Sequence, residues 1–241
     1  MKERLGQDLT TEGHCTMQII RFYFDYISSN AYLAWTQLPA LAEAHGFAID
    51  PVPVLFAGLL EARGQLGPAE IPAKALWMAR NNLRKAAILG VPLNPPAFHP
   101  FNPLLALRIS SLPLPAPQRL ALIDTLFRAV WVEHLHVSDA PVVARLANDL
   151  GLAGARLVAE AQSSESKDRL RAQTDDAIAR GVFGVPSMGV GDELFWGYDD
   201  FPYLERFLAG NDPLNPAEWQ KWHGPARPSA VRRRFRTELS G

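Results

Sequence analysis

The sequence predicts an α/β protein in which a four-stranded sheet is interrupted by a large all-helical insertion domain. Two observations lead to this prediction. Segments with strand and helix patterns alternate over residues 17–55 and again over 163–210, whereas residues 56–162 show helical spacing without a convincing strand. The length of 241 residues, 48% of them hydrophobic, is sufficient for such a fold with a sizeable core.

The first alternating segment is a strand–helix–strand unit. Residues 17–24 (MQIIRFYF) are β-branched and aromatic, which is typical of a buried strand. Residues 31–45 place apolar side chains at helical spacing and are followed by Gly46, a common residue at the end of a helix. Residues 47–54 are again apolar, so the unit predicts a parallel strand pair with a right-handed crossover.

The alternating pattern resumes after the insertion. Residues 166–180 predict a helix, residues 185–190 and 193–196 two short strands, and residues 199–208 a final helix. The two alternating segments together predict a thioredoxin-like sheet that the insertion splits. Within the insertion, helical spacing occurs over residues 76–89, 104–112, 118–134, 140–150 and 155–162.

Both ends of the chain lie outside this predicted fold. Residues 1–16 are polar and lack the apolar segment of a secretory signal, so a flexible extension and a cytoplasmic location are expected. Residues 211–241 contain four prolines and are expected to form an extended tail. No segment approaches the roughly 18 apolar residues that span a membrane. The formal net charge of −1 gives no reason to expect a nucleic-acid partner.

The sequence does not predict a metal centre. The single cysteine, Cys15, lies in the N-terminal extension, so neither an internal disulfide nor a cysteine-based metal site is expected. His134 and His136 are two residues apart, which on a helix would point their side chains roughly 200° apart. They therefore cannot bind one metal ion as an i, i+4 pair can.

The turn between the first strand and the first helix is a candidate functional site. Ser28, Ser29 and Asn30 are all residues that commonly cap a helix N-terminus, so a well-capped helix is one interpretation. The other is that the Ser28 hydroxyl at the helix N-terminus stabilises an anion. At Val185 and Pro186, either a cis peptide bond or an ordinary proline at the start of a strand fits the pattern.

Several segments of the chain resemble one family in order and spacing. Residues 22–34 (FYFDYISSNAYLA) and residues 181–187 (GVFGVPS) resemble 2-hydroxychromene-2-carboxylate isomerases and kappa-class glutathione transferases, of the DsbA-like thioredoxin superfamily. The resemblance spans about residues 18–210. The other segments that carry it are residues 53–60, 67–74, 95–103 and 195–199.

The resemblance implies that glutathione is the cofactor. Its sulfur would lie near Ser28, the implied catalytic residue, and its cysteinyl portion would pair with the backbone of Val185, just before Pro186. The implied reaction is the isomerisation of a 2-hydroxychromene-2-carboxylate type of substrate, a small aromatic carboxylate from aromatic hydrocarbon catabolism. The family also implies a homodimer.

The resemblance assigns further residues to the two ends of glutathione. Gly197 and Asp199 match the turn that holds the γ-glutamyl end. Gln65 falls near the position that contacts the glycyl end, and Lys74 lies a little further along the chain. Asp200 stands where relatives carry an arginine, so a positive charge near the glutathione carboxylates is lost and weak binding is expected.

Two other positions depart from the family pattern, and three activities remain open. Ser29 replaces a proline, and Ala31 replaces a second serine. The motifs lie on the glutathione side, so they fit an isomerase, a kappa-type transferase or peroxidase, and a non-catalytic binding protein. The absence of cysteine from residues 28–31 argues against a dithiol oxidoreductase.

A proline-rich segment, residues 95–103, has two interpretations. Phe98, His99 and Asn102 could line the pocket for the aromatic substrate. Alternatively, the segment is a loop that caps the helical block.

Overall fold

A four-stranded mixed sheet lies at the centre of the fold. The computed structural model describes residues 18–96 and 98–222. The strands are β1 (Ile19–Phe24), β2 (Ala48–Pro53), β3 (Ser187–Val190) and β4 (Glu193–Trp196). Their order is β2-β1-β3-β4, with β1 and β2 parallel and β3 antiparallel to both of its neighbours. This confirms the predicted thioredoxin-like sheet.

Helices follow β1 and β2 and then fill the chain up to β3. The largest differences from the sequence prediction are at α2, which was not predicted, and at α3, which begins four residues early, at a proline in the first turn, where proline is favoured. The helices in the described residues are α1 (Ser29–Ala44), α2 (Phe56–Arg63), α3 (Pro72–Leu89), α4 (Leu104–Ser110), α5 (Ala116–Trp131), α6 (Ala140–Asp149), α7 (Gly154–Ala161), α8 (Ser164–Ala179), α9 (Phe201–Leu208) and α10 (Pro216–Trp222).

The middle of the chain is helical, as predicted. Between residues 56 and 162, with residue 97 left aside, the structure contains helices and turns and no strand. None of the helices in the described part of the chain combines the length and the apolar character needed to cross a bilayer. The division of the chain into a sheet domain and an insertion domain stays a prediction.

The predicted extended tail is partly helical. α10 begins at Pro216 because Asn215 caps it: the Asn215 side chain accepts the Ala217 N–H at 2.9 Å, and its carbonyl accepts the Trp219 N–H at 2.9 Å. The expectation of an extended segment is therefore wrong for residues 216–222. The predicted N-terminal extension with Cys15 and the end of the tail, residues 223–241, lie outside the described residues.

The side chains of β1 alternate between two apolar clusters. Ile20, Phe22 and Phe24 are fully buried on one face, packed with α1 and the helices of the insertion. Tyr23 lies on the other face, in a smaller cluster with residues of α2 and α8 and of the segments next to them. The carboxyl end of β1, where the candidate site begins, is therefore anchored on both faces.

Candidate active site

Ser28 lies in the turn that connects β1 to α1, and it caps the N-terminus of α1. Its backbone is extended, and its Oγ accepts a hydrogen bond from the Ala31 N–H at 3.1 Å. The capping interpretation is therefore confirmed. The hydroxyl also donates to the Val185 carbonyl oxygen at 3.3 Å, which is long for an O–H donor. A bond of this length leaves the hydroxyl proton available to a stronger acceptor.

The turn at Val185 and Pro186 meets this helix terminus, although 157 residues separate Val185 from Ser28. The Val185–Pro186 peptide bond is cis, which is one of the two arrangements that the sequence predicted. Both residues are buried. Within residues 18–96 and 98–222, the Val185 N–H has no hydrogen-bond acceptor. The two sequence motifs thus lie at one site, and a backbone donor there is free.

The start of α1 adds two more donors. Ser29 and Asn30 are its first residues, so their N–H groups find no acceptor within the helix. They lie at the positive end of the dipole of a 16-residue helix. With the Ser28 hydroxyl and the Val185 N–H, they form a group of donors suited to a bound anion.

Asp25 lies at the end of β1, three residues before Ser28, and it is fully buried. Its carboxylate accepts the Ile27 N–H at 3.1 Å and the Phe56 N–H at 2.9 Å, so it ties the active-site turn to the start of α2. Burial raises the pKa of Asp25 to about 7, although the two N–H groups act in the opposite direction. The sequence indicated only a polar turn here, since the burial of Asp25 depends on tertiary contacts.

A second turn, which follows β4, lies against the start of α1. Gly197 has a φ of 78°, in the left-handed region that favours glycine, and its N–H donates to the Pro186 carbonyl at 2.9 Å. A Cβ atom on Gly197 would lie 3.4 Å from the Asn30 side chain. Asp199 follows in the same turn and is exposed. The structure therefore brings Gly197 and Asp199 beside the α1 terminus.

Asp200 is held at the edge of the sheet. Its carboxylate accepts the Trp196 N–H at 2.8 Å. Successive N–H groups of a strand point to opposite sides, and the next one, that of Gly197, is directed at Pro186. The Trp196 N–H therefore faces the free edge of β4. The carboxylate at residue 200 is therefore occupied by the backbone of an edge strand.

Two residues of α3 reach the site, and the sequence did not predict either. The buried Asn82 donates from Nδ2 to the Ser29 Oγ at 2.7 Å. Lys85, one turn later on α3, places its Nζ 2.7 Å from the Asp199 Oδ2 and 3.4 Å from the Asn30 Oδ1. Their three-residue spacing on one helix face was a signal, but polar residues on a helix usually indicate a solvated face.

Gln65 and Lys74 lie elsewhere. Both are exposed: Gln65 follows the end of α2, and Lys74 lies in the first turn of α3. In the part of the chain that the structure describes, neither side chain makes a hydrogen bond or an ion pair with Ser28, Val185 or Asp199. Their role in binding the glycyl end stays a prediction.

The proline-rich segment contacts the active-site turn through one residue. The His99 Nε2 lies 2.9 Å from the Ile27 carbonyl oxygen, and the imidazole packs 6.0 Å from the Trp131 ring. Asn102 instead stabilises the turn that leads into α4, since its Oδ1 accepts the Leu104 N–H at 3.0 Å. Phe98 is largely exposed. His99 therefore fits the pocket interpretation, whereas Asn102 fits the interpretation of a capping loop.

Comparisons with known proteins agree with this geometry. The DsbA-like thioredoxin domain matches residues 19–209. A 2-hydroxychromene-2-carboxylate isomerase from Pseudomonas sp. (strain C18) is 31% identical over 204 residues, which cover 83% of this chain and 94% of that protein. Glutathione S-transferase kappa 2 from Caenorhabditis elegans is 28% identical and covers 80% of this chain and 92% of that protein.

A solved structure gives the same result. The structure of a 2-hydroxychromene-2-carboxylate isomerase superposes with a TM-score of 0.75 and 30% sequence identity, covering 80% of this chain and 95% of that one. The residues that match the DsbA-like domain, 19–209, contain β1 to α9 and therefore every residue of the site described above. The chain belongs to the DsbA-like thioredoxin family and, within it, to the family of the 2-hydroxychromene-2-carboxylate isomerases.

Proposed function

We propose that the protein is a glutathione-dependent isomerase of the 2-hydroxychromene-2-carboxylate type, with Ser28 as its catalytic residue. The observation that supports this most is the meeting of the Ser28 hydroxyl, the Val185 backbone and the free N–H groups of α1. These donors suit an anionic sulfur. Relatives of about 31% identity that are named as such isomerases support the reaction class.

The groups at the site match the parts of glutathione. The unpaired Val185 N–H and its carbonyl could pair with the backbone of an extended peptide. Asp199 and Lys85 offer one anion and one cation at the end of the site. The free N–H groups of α1 lie between these two features. An extended tripeptide with a thiol in its middle fits this arrangement.

Ser28 would stabilise the sulfur as a thiolate. A free thiol with a pKa of about 8.5 is only a few per cent ionised at pH 7. Lowering that pKa by about two units requires roughly 2.7 kcal/mol of differential stabilisation. One charge-assisted hydrogen bond from the hydroxyl, worth about 1.5–3 kcal/mol, together with about 0.3–1 kcal/mol from the helix terminus, is sufficient.

When bound, glutathione would supply the thiolate nucleophile for a cis–trans isomerisation of the conjugated substrate and would not be consumed. The protein's own residues bind the cofactor and the substrate and orient them. Ser28 directs its proton to the sulfur instead of the Val185 carbonyl, and the Ala31 N–H, donating to the same Oγ, strengthens that donor. We propose that His99, beside Ile27, lines the pocket of the aromatic carboxylate.

A homodimer in the cytoplasm is part of this proposal. One face of α3 is apolar and exposed, a pattern that marks interaction surfaces. Its large side chains, each between 53% and 86% exposed, are Leu76, Trp77, Leu83 and Ile88. A second copy of the chain would bury this face. Analytical ultracentrifugation should give a dimer for the wild type and a monomer for Leu83→Glu.

A kappa-type glutathione transferase is the second candidate, favoured by the 28% identity with the Caenorhabditis elegans protein of that name. It would use the same thiolate but leave the sulfur in the product. The two functions differ in the amount of free glutathione that remains: an isomerase returns it, whereas a transferase consumes one molecule per turnover.

The proposed function is tested by mixing the purified protein with hydroxychromene carboxylate, with and without glutathione. We expect isomerisation only when glutathione is present, with the total thiol unchanged. Calorimetry on the same protein should detect glutathione binding in the millimolar range or tighter. Absence of binding at millimolar glutathione would instead favour a non-catalytic binding protein.

A further inference from the structure

Lys85 is a nearly buried cation whose partner is exposed. Only 11% of its side chain is accessible, against 69% for Asp199, which lies 2.7 Å from it. Lysine is rarely buried to this extent unless it is paired. An ion pair with one member in water contributes little to stability, because solvent screens it. The position of the ammonium therefore calls for a reason other than stability.

Lys85 has an unused hydrogen-bond donor, and Asp199 has an unused acceptor. The ammonium has three donors, of which two are directed at Asp199 and, at a longer 3.4 Å, at Asn30. Within the described residues, the third donor has no acceptor and the Asp199 Oδ1 has no donor. The Tyr198 ring, 5.9 Å from the ammonium, supports the cation without using a donor. One donor and one acceptor thus remain side by side for a ligand.

A free α-amino-acid group has the complementary pattern. It carries an ammonium and a carboxylate on the same carbon, so both charges can be matched at once by an adjacent aspartate and lysine. A plain carboxylate would match only the lysine and would be repelled by the aspartate. In glutathione, the γ-glutamyl end carries an α-amino-acid group, whereas the glycyl end carries only a carboxylate.

The family resemblance already assigns the γ-glutamyl end to the turn of Asp199, whose carboxylate suits the α-ammonium; we propose that Lys85 binds the α-carboxylate of that same residue. This inference rests on the proposed glutathione function and identifies the residue that determines which peptide end is bound here. The cation missing at residue 200 is then supplied by α3, from the insertion. Glutathione affinity would accordingly depend on how α3 packs against α1.

The test compares three tripeptides by calorimetry at pH 7, with wild type and Lys85→Met. They are glutathione, glutaryl-cysteinyl-glycine, which lacks the ammonium, and 4-aminobutanoyl-cysteinyl-glycine, which lacks the α-carboxylate. Wild type should bind the carboxylate-free analogue about ten- to a hundredfold more weakly than glutathione, because one charge-assisted hydrogen bond is lost. Lys85→Met should bind glutathione about ten- to a hundredfold more weakly than wild type does. It should bind the carboxylate-free analogue with the same affinity as wild type.

Two variants serve as controls. Lys85→Arg keeps the cation and should restore the preference for glutathione over the carboxylate-free analogue. Lys167→Met removes an exposed lysine from α8 and should leave all three affinities unchanged, which controls for net charge.

The outcomes separate the two proposals. If wild type binds glutathione and the carboxylate-free analogue with equal affinity, Lys85 does not bind the carboxylate. This outcome is measured on the wild-type protein alone. Equal weakening of all three ligands by Lys85→Met would likewise overturn the inference while the glutathione function stands. If wild type binds no glutathione at millimolar concentration, the proposed function itself is wrong.

Discussion

The two sides of the candidate site are built differently. On the sheet side, the end of β1, the start of α1 and the turn before β3 provide mostly backbone groups and one hydroxyl. On the insertion side, α3 provides the long side chains of Asn82 and Lys85. The sheet side is anchored by strand pairing and the buried Asp25, whereas the insertion side depends on how one helix packs.

This difference suggests a division of roles. Donors at the α1 terminus are fixed in position, so they suit the sulfur of the proposed glutathione cofactor, where charge would have to be stabilised. Side chains from α3 can be exchanged without disturbing the strands, so they suit the recognition of the outer parts of a ligand. We therefore expect changes on the sheet side to alter thiol ionisation and rate, and changes on the insertion side to alter affinity.

The largest expected effect is that of the buried Asp25, on the sheet side, on the free energy of unfolding. Burial raises its pKa to about 7 from 3.8, so between these values the folded protein keeps a proton that the unfolded chain releases. The free energy of unfolding should therefore contain a component that falls as pH rises through this window, by on the order of 4 kcal/mol, and then levels off. Urea unfolding of wild type and Asp25→Asn from pH 4 to pH 8 measures it.

Asp25→Asn cannot ionise and should lack this component. The difference in unfolding free energy, Asp25→Asn minus wild type, should therefore rise with pH up to about 7. Parallel pH profiles of the two proteins would show that the buried carboxylate does not titrate in this window.

The next effect is that of Ser28→Ala. At pH 7 the isomerisation rate should fall about ten- to a hundredfold, equivalent to roughly 1.4–2.7 kcal/mol, because the thiol of bound glutathione loses its donor. Activity should return in part as pH rises, since solvent then ionises the thiol. Ultraviolet titration of the thiolate in both proteins measures the shift, and identical titrations would remove Ser28 from the mechanism.

Ser163→Ala is a matched control for the lost helix cap. Ser163 caps α8 by accepting the Ser166 N–H at 3.2 Å, as Ser28 caps α1. Each substitution should cost about 1 kcal/mol of stability through the lost cap. Only Ser28→Ala should change the thiolate titration.

The smallest effect is expected from Asn82→Ala, on the insertion side. It removes the hydrogen bond between α3 and Ser29, which should cost about 1 kcal/mol of stability and weaken glutathione binding a few-fold. The thiol pKa should stay unchanged, because Asn82 bonds the Ser29 side chain and none of the backbone N–H groups or the Ser28 hydroxyl proposed to face the sulfur. Asn81→Ala is the control on the same helix, since Asn81 makes no side-chain hydrogen bond within the described residues. A thiol pKa shift in Asn82→Ala would break the proposed division of roles.

The fold and half of the site could be predicted from the sequence because they depend on local patterns. Strands, helices and the helical middle follow from hydrophobic spacing. The cap and strand-start patterns indicated the turns at Ser28 and at Val185–Pro186, but that these turns belong to one site was implied only by the family resemblance. The α10 helix was missed because proline also occurs at the start of a helix, so the same residues fit a tail or a capped turn.

What the tertiary structure alone decided is which polar residues are buried and which of them meet. In the sequence Asp25 is one polar residue in a turn, and only its burial in the tertiary structure, where it also meets the Phe56 N–H, raises its pKa. Asn82 and Lys85 read as part of a solvated helix face until α3 is placed across the start of α1. Local spacing determines which face of an element is apolar, but solvent exclusion and charge pairing depend on distances between segments far apart in the chain.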